Sequence, residues 1–450
     1  MKLPRFLPLL LVLLLSLGAG GKTPGSGATP SHQPSPAPAK NFKILFADPL
    51  YDFQLQRALG YTLSGGADIN ECLYTARDIK AGDDESWYAA WRATGGRIYA
   101  IGEKCSAKGH RVSARQAFLR ASNYFRTAEF FLHRHPRDPR ILKTWGLSRQ
   151  AFRRAAALMD HPVEVIKIPY EGTTLPGYFC RPDASPKPRK TIILQTGFDG
   201  TGEELYLEVA FFALKRGYNV LIFEGPGQGG ALREQHLYFR PDWEKVVTPV
   251  VNYALTRPEI DPKRLTLWGI SMGGYLAPRA AAFEPRLAAL IANTGIYDAA
   301  ANKSQGKKPG DRLTRKELEQ EPEKINQAIR RIMQGSTLMR WYINQGMFAF
   351  GKKSPGAFLL ALQDYNLKGV APRIKCPTLV VDNEGDLFLH GQARRLYDAL
   401  TCPKTYILFT RRDMAASHCQ MGALAISNQR ILDWLDQTDP QSPVGAKAAP

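Results

Sequence analysis

A serine hydroxyl becomes a useful nucleophile only when a base removes its proton, so Ser271 matters for the residues around it. It stands in the run Gly269, Ile270, Ser271, Met272, Gly273, a G-x-S-x-G spacing. Ordinary Gly and Ser usage would produce that bare spacing by chance ~0.1–0.2 times in a chain of this length. The context is more specific than the spacing. An apolar stretch with Leu265, Leu267 and Trp268 comes before the serine, and a helical stretch from about Met272 to Phe283 follows it. A serine on a sharp strand-to-helix turn presents its Oγ at the end of a sheet. The glycines let such a turn form without a Cβ clash, and the helix N-terminus favours negative charge developing beside it. Pro278 lies inside that helix and should kink it or remove one hydrogen bond.

The base must be a histidine, and on a strand-turn-helix serine of this kind the partners follow in the order acid, then histidine. Only His390 and His418 come after Ser271. His418 falls between the last expected strand and the terminal helix, on a loop able to reach the strand ends, whereas His390 precedes that strand and lies near a helix start. His418 is therefore preferred. The acid should follow the strand Thr378 to Val381, which leaves Asp382, Glu384 and Asp386. Asp386 fits best, past the strand on a turn opened by Asn383 and Gly385, because Asp382 is close enough to the strand to be held by backbone amides. Its task would be to orient the imidazole and stabilise its cation.

Acyl chemistry also needs two N–H donors for the oxyanion. One is expected from Met272, the other from the loop Thr196 to Gly200, with Phe198 first and Gly197 close behind. Asp199 on that loop is a candidate substrate contact. The Gly-rich run Glu224 to Gly230 lacks the Lys and the helix opening of a phosphate cradle. It reads instead as a loop at the strand ends lining the site, with Glu224 facing either substrate or backbone amides. His133 and His135 end a helix without a third ligand nearby, and the six cysteines lack paired ligand spacing, so no metal is expected.

These residues need a frame to position them. Residues 42–160 read as helical, with apolar or aromatic side chains at Ala117, Phe118, Ala121, Tyr124, Phe125, Ala128 and Phe131 marking one helix over Ser113 to Leu132. Asp138 to Met159 reads as another helix or pair of helices. From His161 onward short β-rich runs alternate with helical ones: Val163 to Ile168, Leu175 to Cys180, Thr191 to Gln195, Asn219 to Phe223, Arg264 to Trp268, Ala288 to Ala292, Thr378 to Val381 and Tyr406 to Phe409. Helices are expected over Glu203 to Arg216, Trp243 to Leu255 and Met421 to Leu435. This alternation implies an α/β architecture, a mostly parallel sheet flanked by helices, over residues 161–437. An insertion at about 297–373 is too long for a plain connection and should carry its own structure. Its charged part, Arg312 to Gln334, reads as a surface helix. Trp341, Tyr342, Met347 and Phe348 could cover a pocket.

The formal charge is +19, but the basic residues come as scattered pairs such as Lys307 with Lys308 and Arg330 with Arg331, so no nucleic-acid partner is expected. Lys2 and Arg5 precede the apolar run Phe6 to Leu17, which ends in small residues: a secretory signal peptide over 1–20. The run is shorter than the roughly 20 residues of a membrane span, so export to the periplasm or exterior, with no stable membrane span after cleavage, is expected. Residues 21–41 and 438–450 are rich in Pro, Gly, Ser and Ala and read as disordered. Export permits disulfides, and Cys376 and Cys402, each just ahead of neighbouring strands, are the expected pair.

Several stretches beyond the serine turn give the chain a family resemblance: Gly65 to Asp68 (GGAD), Asp84 to Tyr88 (DESWY), Ser113 to Arg115, Arg120 to Tyr124 (RASNY), Glu224 to Gly229 (EGPGQG), Gly274 to Arg279 (GYLAPR) and His418 to Gln420 (HCQ). With the helical first half, residues 43 to 437 resemble the α/β-hydrolase family that includes 2,6-dihydroxypseudooxynicotine hydrolase and the pigment-pathway hydrolases that shorten polyketides. The resemblance implies a helical N-terminal cap closing over the substrate, a triad of Ser271, Asp386 and His418, and cofactor-free cleavage of carbon-carbon bonds beside a ketone. Trp87, Tyr88, Arg120 and Tyr124 are the cap's candidate contacts to the bound molecule. The expected partner is a small acyl substrate, and a homodimer is compatible with the sequence. Two rivals stand beside this reading: a serine peptidase-like acyl-aminoacyl hydrolase, and a non-catalytic secreted binding protein on a hydrolase scaffold.

Overall fold

Strands β3 (Arg189–Gln195), β4 (Asn219–Phe223), β6 (Ala289–Asn293) and β7 (Thr378–Asn383) are buried along nearly their whole length, as is the second half of β5 (Ile260–Ile270). Continuous burial, rather than alternation, is what a parallel sheet covered on both faces requires. In the computed structural model, which describes residues 42–301 and 313–438, the sheet runs β1-β2-β4-β3-β5-β6-β7-β8. β1 (Val163–Tyr170) and β2 (Thr173–Cys180) form an antiparallel pair, β2 runs antiparallel to β4, and every pair from β4 to β8 (Lys404–Phe409) is parallel. Ile270 pairs with Asn293, Asn293 with Val381, and Asn383 with Phe409, so the loops after β5, β7 and β8 leave one edge of the sheet side by side. The expected signal peptide, linker, Lys307–Lys308 pair and nearly all of the C-terminal tail lie outside the described residues.

The first half is helical: α1 (Pro49–Gly60), α2 (Ile69–Arg77), α3 (Asp84–Ala107), α4 (Arg111–Glu129) and α5 (Pro139–Ala156). Asp48, Asp68, Asp83 and Asp138 each cap the helix that follows, accepting backbone N–H bonds from its first turn, and Pro139 supplies the pre-set φ at the start of α5. The expected Asp138 to Met159 element is one helix. Trp87, Trp91, Tyr124 and Phe131 pack in the cap core, with the Tyr51 and Phe131 rings stacked 4.6 Å apart. Cap and sheet domain are joined by a buried ion pair, in which Arg233 donates to both oxygens of Glu129 at 2.8 and 3.0 Å.

Two helices depart from their simple expectations. Where one helix was expected over Glu203 to Arg216, α6 (Gly202–Leu205) passes into a π turn (Tyr206–Ala210) before α7 (Phe211–Leu214). In the insertion, the charged stretch expected as one surface helix is two, α11 (Arg315–Gln320) and α12 (Pro322–Gly335). The break falls at Pro322, which cannot donate to the preceding turn and instead starts the second helix. α13 (Thr337–Ala349) and α14 (Pro355–Leu362) complete the insertion. Between these lie α8 (Gly229–Arg233), α9 (Glu244–Ala254) and α10 (Gly273–Ala281) in the sheet domain.

Pro278 does not end α10. Lacking an N–H, it leaves the Gly274 carbonyl without its helical partner, and the Ile296 amide donates to that carbonyl instead at 3.0 Å. All six cysteines are free thiols, which corrects the expected Cys376–Cys402 disulfide: the pair flanks neighbouring strands, but Cys402 Sγ donates to Thr378 Oγ1 at 3.5 Å. Among the described residues no helix is long and apolar enough to cross a membrane, and no group of His, Cys, Asp and Glu could hold a metal ion.

Candidate active site

Ser271 follows β5 directly and takes φ +58°, the left-handed region that L residues avoid unless the surroundings impose it. Close packing of strand and helix imposes it. A Cβ at Gly269 would lie 2.0 Å from the Gly273 carbonyl oxygen, so the strand and α10 meet only through glycine. The turn thereby lifts the Ser271 hydroxyl off the sheet edge toward the loop after β8.

On that loop His418 Nε2 lies 2.9 Å from Ser271 Oγ, and His418 Nδ1 lies 2.6 Å from Asp386 Oδ2. Asp386 sits past β7, and its other oxygen accepts the Phe388 and Leu389 amides at 2.7 and 2.8 Å. The carboxylate is thus anchored by backbone on one side and faces the imidazole on the other. Gln420 holds the histidine loop to the sheet, donating through Nε2 to Asn293 Oδ1 and Asn383 Oδ1, each at 3.0 Å. Asp382 and Glu384 are occupied elsewhere: Asp382 accepts the Asn383 amide and the Tyr406 hydroxyl, and Glu384 accepts the Arg411 amide.

Burial opposes charge on both His418 and Asp386, but each offsets that for the other. The imidazole is held well above its usual value by the Asp386 carboxylate and the Cys419 thiol, despite desolvation pulling it down. Burial likewise pushes Asp386 up, yet the imidazole and the two amides hold it below the usual carboxylate range. Such a serine, imidazole and carboxylate can transfer a proton from the hydroxyl and carry the resulting cation.

The N–H groups of Met272 and Phe198 have no acceptor among the described residues, and both residues line the cavity in front of Ser271. Close approach of their loops depends on Gly197, where a Cβ would lie 2.6 Å from the Met272 nitrogen. Gln228 fixes the same loop by donating to the Thr196 and Gly197 carbonyls at 2.8 and 3.3 Å.

The cavity and its mouth enclose about 840 Å³ of empty space. Its walls are mostly apolar: Phe53 from α1, Ile296, Trp341 and Tyr342 from the insertion helix α13, Leu362, and Phe388, whose ring lies 4.9 Å from that of His418. Trp341 and Tyr342 thus cover the pocket, whereas Phe348 stacks on His133 4.5 Å away and Met347 is not among the lining residues. Asp199 lines the cavity but is committed to Arg57 at 2.6 Å.

Other expected contacts lie elsewhere, and the reason is packing. Glu224 points away from the cavity, accepting the Gly202 and Gly230 amides at 2.7 Å each, so of its two expected roles it takes the backbone one. Its Gly-rich loop buttresses the loop after β3. The four cap candidates serve the cap itself. Trp87 donates to the Thr127 carbonyl at 2.7 Å, Arg120 pairs with Glu71 at 2.9 Å, and Tyr124 donates to Glu71 while accepting the Asp68 amide. Arg140 lies over the Tyr88 ring, 4.8 Å from its centroid. Conversely, Phe53, Gln54 and Arg57 of α1 and Glu208 of the π turn line the cavity without having been singled out. The only sequence signal for the three α1 residues is a shared helical face, and Glu208 has none, since nothing local distinguishes a buried charge from an exposed one.

Residues 205–340 match the prolyl oligopeptidase family. Hydrolase LUC6 from a Fusarium species is 36% identical over 420 residues, covering 88% of this chain and 97% of that protein. The 20-hydroxy-prefusarin hydrolase FUS2 of Gibberella moniliformis is 34% identical over the same length, covering 88% of this chain and 97% of its own. Among solved structures, 2,6-dihydroxy-pseudo-oxynicotine hydrolase shares the fold with a TM-score of 0.67 at 21% identity, over 87% of this chain and 98% of that one.

Proposed function

From the premise that this chain belongs to the α/β-hydrolase family of those relatives and is a hydrolase, we propose that it cleaves an acyl bond through a covalent intermediate on Ser271. The observation carrying this reading is the continuous chain Ser271 Oγ, His418, Asp386, with contacts of 2.9 and 2.6 Å. His418 takes the serine proton as Oγ attacks the carbonyl carbon, and the Met272 and Phe198 amides receive the oxyanion. The imidazolium returns the proton to the leaving group. Water, deprotonated by the same imidazole, then releases the acyl group as a carboxylic acid.

The bond is an ester or a carbon-carbon bond beside a ketone. The aromatic walls from Phe53, Phe198, Trp341, Tyr342 and Phe388 support a flat, uncharged acyl substrate. A peptidase-like reading has one specific support, the prolyl oligopeptidase match over residues 205–340. We also propose export, supported by Lys2 and Arg5 ahead of the Phe6 to Leu17 run.

A fluorophosphonate probe tests the central claim. The folded wild type should be labelled covalently, and Ser271→Ala should not. No label on the folded wild type would leave a non-catalytic binding protein as the better reading. Turnover of aryl esters, β-diketones and aminoacyl arylamides by the unlabelled wild type separates the bond classes.

A further inference from the structure

One titratable group in the cavity has no part in the chemistry above. Glu208 lines the cavity at the centre of the π turn Tyr206–Ala210, and its side chain is 5% exposed as a residue. Neither carboxyl oxygen has a hydrogen-bond partner among the described residues, and Oε1 is fully enclosed. Leaving such a group unpaired is unfavourable, so a buried carboxyl of this kind is explained best by a partner that arrives from outside. Gln54 Oε1, across in α1, is a second enclosed and unpartnered cavity oxygen.

The two nearby guanidinium groups, Arg57 and Arg126, face other carboxylates. Arg57 donates to Glu204 through Nε and Nη2, both at 2.7 Å, and to Asp199 through Nη1 at 2.6 Å. Arg126 lies 3.3 Å from Glu204 and 3.5 Å from Asp199. Two guanidinium groups thus balance two carboxylates, and Glu208 is the one left over. Burial and the neighbouring Glu204 carboxylate push its carboxyl up to about 8, against the opposing pull of Arg57, His418 and Arg126. At neutral pH it keeps its proton and can donate a hydrogen bond.

We propose that Glu208 donates its carboxyl O–H to a second carbonyl oxygen of the substrate, making it a specificity-determining residue that favours 1,3-dicarbonyl substrates over simple esters. The proposal rests on the Ser271 and His418 chemistry above. Glu208 and His418 line the same cavity, the one in front of Ser271. In a 1,3-diketone, Ser271 Oγ bonds to one carbonyl carbon and the bond to the central carbon breaks. The electron pair of that bond becomes an enolate, its negative oxygen held by the Glu208 O–H. His418 then delivers the proton it took from Ser271 to the central carbon, giving a methyl ketone or its homologue and the acyl-enzyme. Glu208 retains its own proton throughout. An ester leaves as an alkoxide with no second oxygen at that position, so the contact goes unused.

The test compares kcat/KM for benzoylacetone and for phenyl acetate in the wild type, Glu208→Gln and Glu208→Met. Gln keeps an N–H donor and Met keeps only the bulk. The diketone-to-ester ratio should fall ~10-fold or more in the Met variant and recover largely in the Gln variant. In the wild type the ratio should also decline as pH rises through about 8, and in the Gln variant that decline should vanish. A common loss of stability scales both substrates and leaves the ratio alone, so an unchanged ratio overturns the proposal, as does a wild type that cleaves the ester but never the diketone. Failure of Ser271 labelling is a separate result that removes the underlying chemistry.

Discussion

His418 Nδ1 stands 2.6 Å from Asp386 Oδ2, and the same carboxylate is pinned through its other oxygen by the amides of Phe388 and Leu389. The backbone therefore decides where the imidazole points, and the imidazole decides which atom faces Ser271. Asp386→Asn preserves the shape but offers an amide where a negative charge was. Steady-state kinetics should show kcat reduced by about 10³- to 10⁴-fold with fold and thermal stability largely kept. A loss of less than ten-fold would mean that the carboxylate does not orient the base.

The pH profile carries a sign. His418 is active as a base only when neutral, and its carboxylate partner raises its pKa above the usual 6.5. Activity is thus absent at low pH and appears as pH rises through the raised value, so the acid limb of kcat/KM should lie above pH 6.5. In Asp386→Asn the limb should move to lower pH. A wild-type limb at the ordinary imidazole value would contradict the geometry.

Gly197→Ala should injure the chemistry without touching the three reacting side chains. Its methyl would start 2.6 Å from the Met272 nitrogen, forcing apart the two loops whose amides face the cavity. We expect kcat to fall by roughly 10²- to 10³-fold, the scale of a lost oxyanion donor, with circular dichroism unchanged. Unimpaired turnover would show that those amides do not act together.

Arg233→Ala removes the cation that holds Glu129 at the cap interface. The pair is nearly inaccessible to water, at 2% and 4% side-chain exposure, so the variant should lose about 3–5 kcal/mol in denaturant unfolding. Glu129 burial raises its pKa, but Arg233 and His133 outweigh that and hold it at about 2, against an ordinary 4.5. A depressed carboxyl contributes stability that is present above the ordinary value and lost as pH falls toward 2. The wild type should accordingly weaken below pH 4.5 by more than the variant does.

Trp87 supplies a complementary case, since it lies in the cap core and donates to the Thr127 carbonyl. Trp87→Ala should destabilise the protein by about 3–5 kcal/mol, as large core truncations do. The ranking of substrates should not change. A shift in substrate preference at constant stability would place Trp87 in the binding site after all.

What could be read from the chain by itself was what is encoded locally. The serine turn is a contiguous pattern of strand, glycine, serine, glycine and helix, and the buried strands announce themselves as short apolar runs between helical ones. Chain order then left two histidines and three acids to choose among, a small enough set for Asp386 and His418 to stand out. Tertiary structure alone decided the rest. Trp87, Arg120 and Tyr124 look like recognition residues in a sequence, yet Trp87 bonds the Thr127 carbonyl and the other two bond Glu71 of α2, while Phe53, Gln54, Arg57 and Glu208 reach the cavity from elements with no chemical signature. Whether a polar side chain is a partner, a brace or a free hand depends on what lies opposite it across contacts such as Arg57 with Glu204, 147 residues apart in the chain. Periodicity along the chain says which face of a helix is buried, and packing between distant elements says against what.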